Sequence, residues 1–142
     1  MNRIIRIIDA NTNRAREGLR VIEDIARFVL DDKESASEFK NLRHEITEII
    51  AELPLDKWEF LKSRKSSADV GAFLNNSGEN NRSDIIQIAV ANIHRAQESM
   101  RVLEELTKLY SPESGLKFKS LRFRMYELEK MVIPKLQNHK NK

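Results

Sequence analysis

The sequence predicts an all-α domain, and three observations carry that prediction. Apolar residues recur at helical spacing in two long segments. Only four glycines and three prolines occur in 142 residues, so few positions break a helix. The segment ANTNRAREGLRVIE at 10–23 recurs as ANIHRAQESMRVLE at 91–104, with eight identical positions. We therefore predict a single domain, 1–142, of two helix hairpins that arose by internal duplication and pack as a pseudo-two-fold bundle.

The first repeat spans about residues 4–53. Its helices are predicted near 4–30 and 33–53, because Asp32 is a suitable N-cap and Pro54 ends the second helix. A connector at about 54–83 follows. It holds one short extra helix capped by Asp56 and then a long loop rich in Asn and Gly.

The second repeat spans about residues 84–133. Helices are predicted near 84–109, capped by Ser83, and near 112–132, where Pro112 suits the first helical position and Pro134 ends the helix. FKNLR at 39–43 recurs here as FKSLR at 118–122. The tail 134–142 is predicted to be frayed.

Composition excludes several classes of protein. Apolar residues make up 40% and charged residues 33% of the chain, and the net charge is only +3, which is typical of a soluble globular protein. With no cysteine, disulfides and thiolate metal sites are excluded. Acidic and basic residues are interleaved, so no nucleic acid is expected as a partner. No apolar run is long enough for a signal peptide or a membrane span, so we expect a cytoplasmic protein without a membrane partner.

An amide and a guanidinium recur on the apolar side of the first helix of each repeat, as Asn11 with Arg14 and as Asn92 with Arg95. At about 100° per residue, these side chains face inward beside small residues. In one interpretation they are structural and pair with glutamates or helix-end carbonyls. In the other, both sets line a cleft and bind an anion, because Arg matches phosphate oxygens.

Four acidic residues accompany these sets. The spacing of Arg20 with Glu23, and of Arg101 with Glu104, is typical of a weak surface ion pair. Two further glutamates are expected to orient the Arg14 and Arg95 guanidinium groups or, alternatively, to hold a metal ion: Glu17 and Glu98.

The connector also carries candidate residues, among them Arg64. Asp69-Val70-Gly71 would put a carboxylate beside a flexible backbone, as a Mg²⁺ site requires, although the same tripeptide is also an ordinary turn. The sequence has no Gly-rich phosphate loop of either common type. Chemistry alone thus indicates an all-α domain with an anion site.

Three runs in the same order resemble one family: RIIDANTNRAREGLRVIEDIARFVLDD at 6–32, SRKSSADVG at 63–71 and VANIHRAQESMRVLEELTK at 90–108. The family is the all-helical hydroxymethylpyrimidine phosphate kinase domain, often fused N-terminal to thiamine-phosphate synthase. The resemblance covers about residues 3–125. It implies ATP-dependent phosphorylation of 4-amino-5-hydroxymethyl-2-methylpyrimidine phosphate to the diphosphate, with Mg²⁺ accompanying ATP.

The resemblance also implies roles for individual residues. Arg14, Arg95 and Asp69 would be catalytic, and Asp69 would bind the metal. The remaining matches, apart from Asp9, would bind substrate or nucleotide: Asn11, Glu17, Arg20, Arg64, Gly71, Asn92, Glu98 and Arg101. Lys65 stands where the family pattern leads us to expect an acidic residue, which puts a metal role for that position in doubt.

The synthase domain is missing from this sequence, so we expect either a free-standing kinase or one domain of a longer protein. The expected partners are the pyrimidine phosphate, ATP, thiamine-phosphate synthase and a second copy in a homodimer. Two rival functions stay open. A non-catalytic interaction or regulatory module would not saturate with Mg-ATP, and a nucleic-acid binder would bind with a steep salt dependence.

Overall fold

The computed structural model describes residues 2–64, Gly71 and 84–140. These residues form five α-helices and no β-strand, which confirms the predicted all-α class. The helices are α1 (Asn2–Asp24), α2 (Lys33–Glu52), α3 (Lys57–Ser63), α4 (Ile85–Thr107) and α5 (Pro112–Lys140). A π-helical turn, Ile25–Val29, extends α1 toward α2.

The caps of the helices follow the sequence closely. Asp32 caps α2, with its Oδ1 accepting from the Ser35 amide at 3.1 Å, and Asp56 caps α3 in the same way. Ser111 caps α5. The cap of α4 differs from the predicted Ser83: the N-cap is Asp84, whose carboxylate accepts from the Gln87 amide at 2.8 Å. Ser83 lies outside the described residues.

The end of α5 also differs from the prediction. The helix continues through Pro134 to Lys140, so neither the predicted end before Pro134 nor the frayed tail is right for the described residues. A proline costs one backbone hydrogen bond inside a helix. Here the turns around it are held, because Val132 and Leu136 are fully buried and Lys135 Nζ lies 2.6 Å from Asp32 Oδ2.

The core lies where α1 meets α4. Helix α1 packs against α2 and α4, α4 packs against α5, and α3 lies on α1. Leu19, Ile22 and Met100 are fully buried within this core. The approach of α1 to α4 is closest at Gly18, where an added Cβ would lie 2.8 Å from the carbonyl oxygen of Asn92. Glycine is therefore required by packing at this crossing.

Matched contacts occur in the two halves. Asn11 Nδ2 donates to the Ile7 carbonyl at 2.9 Å, and Asn92 Nδ2 donates to the Ile88 carbonyl at 2.8 Å. In both cases the amide bonds the carbonyl four residues earlier. These equivalent contacts favour the internal duplication, and superposition of α1–α2 on α4–α5 would test it.

Candidate functional site

A cleft of about 540 Å³ lies along the N-terminal half of α1, beside the end of α3. We call it the α1–α3 cleft. It brings together three of the residues that the sequence singled out as site residues, Asn11, Arg14 and Arg64, and adds Asp9 from the family resemblance. The other described lining residues are Arg3, Arg6, Ile7, Ala10, Asn13 and Ser63.

Asp9 and Arg64 form a bidentate ion pair in this cleft. Arg64 Nε donates to Asp9 Oδ2 at 2.8 Å, and its Nη2 donates to Oδ1 at 3.0 Å. The hydrogen bond with Asp9, and then the charge of Asp9, raise the pKa of Arg64. Because Arg64 directly follows α3 and Asp9 is buried in α1, the pair fixes the end of α3 against α1. It also occupies both oxygens of the one carboxylate among the described lining residues.

Positive charge dominates the rest of the lining. Arg3, Arg6 and Arg14 make no ion pair with other described residues. Arg3 precedes Arg14 by about three helical turns, so the two lie on the same face of α1. The described lining therefore holds four arginines and one carboxylate. An excess of guanidinium groups in a concave site is suited to phosphate groups.

Arg3 and Arg6 were missed by the sequence reasoning. The signal was present, because both arginines share the cleft side of α1 with Arg14. They lie outside the repeated segment, however, and recurrence was the criterion that singled out residues.

The inward orientation predicted for the two repeated arginines is wrong. Arg14 and Arg95 are both exposed, whereas Asn11 is buried and Asn92 is half-buried. A guanidinium facing the apolar interior without a partner would lose its hydration, which costs several kcal/mol. At the edge of the helix face, the long side chain instead turns outward. Arg14 reaches the α1–α3 cleft in this way.

The prediction that Glu23 and Glu104 lie on the surface is wrong. Both carboxylates are buried, and each binds an arginine of the following helix. Glu23 Oε1 accepts from Arg43 at 3.1 Å, and Glu104 Oε1 accepts from Arg122 at 3.1 Å. Arg43 and Arg122 are the matched last residues of FKNLR and FKSLR. The repeated FK-x-LR segment was the signal that could have revealed these pairs.

Arg101 does bind Glu104, at 2.6 Å, so its predicted i,i+3 pair is present. Arg20 instead pairs with Asp24, at 3.5 Å. Burial lowers the pKa of Arg122, but the hydrogen bonds with Tyr126 and Glu104 outweigh that effect and raise it. The buried glutamate thus holds two arginines in the second half.

Glu98 and Arg101 line a different hollow, of about 570 Å³, between α4 and α5. Its charges are largely paired, since Arg101 and Arg122 bind Glu104, and His94 lies 2.9 Å from Glu129. The structure therefore does not bring Glu98 and Arg101 to the α1–α3 cleft. Glu17, like Glu98, is exposed and makes no ion pair with described residues.

The predicted Mg²⁺ ligand, Asp69, lies outside the described residues, as does Lys65. Gly71 is described, in an exposed turn. Within 2–64, Gly71 and 84–140, no group of three or more His, Asp or Glu side chains could hold a metal ion. Asp9 is occupied by Arg64, so the described residues of the cleft do not by themselves fit a magnesium site.

The family model described as the ThiD2 family matches residues 6–131, which is most of the chain and includes both halves. The chain belongs to the ThiD2 family. The matched range includes the buried Glu–Arg pairs and all described lining residues of the α1–α3 cleft except Arg3.

Three similar proteins carry the name thiamine-phosphate synthase. The protein from Synechocystis sp. is 42% identical over 130 residues, covering 92% of this chain and 36% of its own length. The protein from Nostoc sp. is 42% identical, covering 89% of this chain and 34% of its own length. The protein from Rhodopirellula baltica is 34% identical, covering 87% and 32%.

The chain therefore spans about a third of the length of the curated relatives it matches. No solved structure shows significant similarity to it. In the part of the chain that the structure describes, no helix is long and apolar enough to cross a membrane.

Proposed function

We propose that this chain is an ATP-dependent kinase in thiamine biosynthesis that converts 4-amino-5-hydroxymethyl-2-methylpyrimidine phosphate to the diphosphate. One observation carries the proposal: the described lining residues of the α1–α3 cleft include four arginines and a single carboxylate, which is already paired. Membership of the ThiD2 family and the name thiamine-phosphate synthase among the relatives support the pathway.

The substrates match the charge of this cleft. Both the pyrimidine phosphate and ATP are anions, and their mutual repulsion opposes the reaction. Phosphoryl transfer depends mainly on positioning and on neutralising the charge of the transferring group. Arg14 and Arg64, with Arg3 and Arg6 beside them, supply fixed positive charge for both purposes.

The phosphate group of the pyrimidine substrate accepts the γ-phosphoryl group of ATP, and this acceptor needs no catalytic base. An oxygen of the substrate phosphate attacks the γ-phosphorus of ATP, a new phosphorus–oxygen bond forms, and the bond to the bridging oxygen breaks to release ADP. A phosphate monoester has a second pKa of about 6, so this oxygen is already anionic at neutral pH. Asp9 can therefore remain bound to Arg64 throughout. A free alcohol would need to lose a proton, and the described lining residues offer no free carboxylate to accept it.

Mg²⁺ enters this proposal with ATP, whose phosphates it binds. We retain Asp69 as the proposed protein ligand, since it follows Arg64 by only five residues. We further propose that the product passes to thiamine-phosphate synthase, either as a separate chain or as the remainder of a longer one.

Measuring ADP release with Mg-ATP tests the proposal. We expect turnover with the pyrimidine phosphate and none with the free hydroxymethylpyrimidine. Arg64→Met should lower turnover strongly, whereas Arg27→Met should not, because Arg27 stacks on Phe28 in the π-helical turn that follows α1, at the end of α1 away from the cleft. A folded protein that neither binds Mg-ATP nor releases ADP with the pyrimidine phosphate would contradict the proposed kinase activity. The alternative function, a non-catalytic interaction or regulatory module, would then be favoured.

A further inference from the structure

The outer face of α5 carries an apolar stripe. Leu116, Phe123 and Met131 are 69%, 51% and 44% exposed. With Ser120 and Glu127 they follow the spacing i, i+4, i+7, i+11, i+15, so all five lie on one line along the helix. We call these five residues the α5 stripe. Beside it, α2 and α5 enclose a groove of about 670 Å³. Large apolar side chains gathered on an exposed helix face are typical of an interaction surface.

The corresponding face of α2 is entirely polar. When FKNLR is aligned with FKSLR, the α5 stripe matches five exposed residues of α2: Ser37, Asn41, His44, Glu48 and Glu52. These are the residues expected on the solvent side of an amphipathic helix. Two helices of the same layout therefore differ on their outer faces, which indicates that the α5 face is covered and the α2 face is not.

Two charged residues on either side of Phe123, one beside the α5 stripe and one within it, identify the partner of the stripe. Around Phe123, Lys119 lies four residues before and Glu127 four residues after, while Leu116 and Met131 lie seven residues before and eight after. This order is self-complementary when the helix meets a copy of itself in the opposite direction. In a two-fold interface, residue i contacts residue j and residue j contacts residue i. A partner of different sequence would not require such symmetry.

We propose that a second copy of this chain covers the α5 stripe. The two α5 helices run antiparallel with Phe123 near the two-fold axis, and Lys119 of each copy faces Glu127 of the other. Lys119 is free for this contact, since it makes no ion pair with described residues. Glu127 makes only a long, exposed pair with Lys130, at 3.7 Å. Arg124 is already held by Glu45 and Glu38 and stays at the rim.

Charge reversal tests this arrangement. The monomer mass is 16.6 kDa, and sedimentation equilibrium should show wild-type protein approaching twice that mass as concentration rises. Lys119→Glu and Glu127→Lys should each weaken the dimer by about tenfold or more, because each puts two like-charged pairs across the axis. The double variant Lys119→Glu/Glu127→Lys should recover wild-type association.

The matched control uses the face of α2. Phe123→Glu should keep the chain at monomer mass, while His44→Glu, at the equivalent position, should leave the dimer intact. Lys119, Glu127 and His44 are exposed, whereas the Phe123 ring contacts Arg122 and Tyr126. Helical circular dichroism and thermal melts therefore check that each variant is folded. A wild-type chain that stays monomeric, a Phe123→Glu variant that dimerises normally, or a double reversal without recovery would overturn the proposal.

Discussion

The first and second helix pairs keep the same polar side chains at matched positions, but the cationic cleft belongs to the first pair. Aligning Asn11 with Asn92 matches Arg3, Arg6 and Asp9 with an acid, an amide and an apolar residue: Asp84, Gln87 and Val90. The second half therefore has neither the extra arginines nor the carboxylate that binds Arg64. Its own hollow, between α4 and α5, is lined by charges that are largely paired.

This difference separates scaffold from site. Residues that recur in both halves, such as Glu23 and Glu104, mostly make equivalent structural contacts. Residues that differ between the halves, such as Arg3 and Asp9, build the α1–α3 cleft. The recurring glutamates thus hold each helix pair together, whereas the α1–α3 cleft combines two recurring residues, Asn11 and Arg14, with arginines that only the first half carries. Four predictions test that division.

The largest effect is expected at the buried Glu–Arg pairs. Glu23→Met should strand Arg43, and Glu104→Met should strand Arg122, so each should lower the free energy of unfolding by roughly 3 to 5 kcal/mol. Urea denaturation measures this. Arg101→Met is the control, because its exposed pair is worth less than about 1 kcal/mol.

One result would contradict the prediction that Glu23 and Glu104 have the same structural role. If Glu23→Met left stability unchanged and abolished turnover, Glu23 would be a site residue. The scaffold role of the recurring glutamates would then fail in the first half.

The fold could be predicted because it depends on local signals. Helical spacing, Asp32, Asp56 and Pro112 fix the beginnings of helices through their own chemistry. The end of the helix at Pro134 was wrongly predicted because the local penalty of proline is offset by remote contacts, namely the burial of Val132 and Leu136 and the ion pair between Lys135 and Asp32. Contacts between residues that are distant in the sequence cannot be predicted from the residues around Pro134.

The site was only partly predictable for a related reason. Asn11, Arg14 and Arg64 were found, but the pairing of Arg64 with Asp9 joins residues 55 positions apart. Helix periodicity predicts which face of a helix a residue occupies, but no finer orientation. The long side chain of an arginine at the edge of a face can turn toward the core or toward solvent. The exposure of Arg14 and Arg95 is decided by desolvation, which periodicity does not measure.

The second effect is on catalysis and should differ between the halves. Arg14→Met should lower turnover by roughly a hundredfold, close to the roughly 3 kcal/mol lost with a charge-stabilising group. Arg95→Met should leave turnover within about twofold, because Arg95 lies on the half without the cleft. Both side chains are exposed, so thermal melts should match wild type. Equal losses in both variants would show that the second half also binds substrate.

The third effect concerns the crossing of α1 and α4. Gly18→Ala should destabilise the protein by about 1 to 3 kcal/mol, because the added Cβ would lie 2.8 Å from a backbone carbonyl that cannot easily move. The better helix propensity of Ala returns at most about 1 kcal/mol. At the matched position, Ser99→Ala should change stability by less than about 1 kcal/mol. A Gly18→Ala protein that is more stable than wild type would refute the close crossing.

The smallest effect compares the two matched helix caps, Asp32 and Ser111, of which only Asp32 titrates. Burial raises the pKa of Asp32, but hydrogen bonds from Lys135 and Ser35 outweigh it and bring the pKa down to about 2 from 3.8. A carboxyl whose pKa is lower in the folded state stabilises the fold above its unfolded pKa. That stabilisation is lost as pH falls from about 5 to about 2.

Asp32→Ser replaces the first cap with the residue used in the second. At pH 7 it should cost about 1 to 2 kcal/mol, since Lys135 is half exposed and solvent screens its charge. The difference from wild type should shrink as pH falls and be small near pH 2, where Asp32 is about half protonated in the folded state and almost fully protonated in the unfolded state. Ser111→Ala should cost about 1 kcal/mol at every pH, because it removes a cap without changing charge. Urea denaturation between pH 2 and 7 measures both variants, and a difference between wild type and Asp32→Ser that does not change with pH would show that Asp32 acts only as a cap.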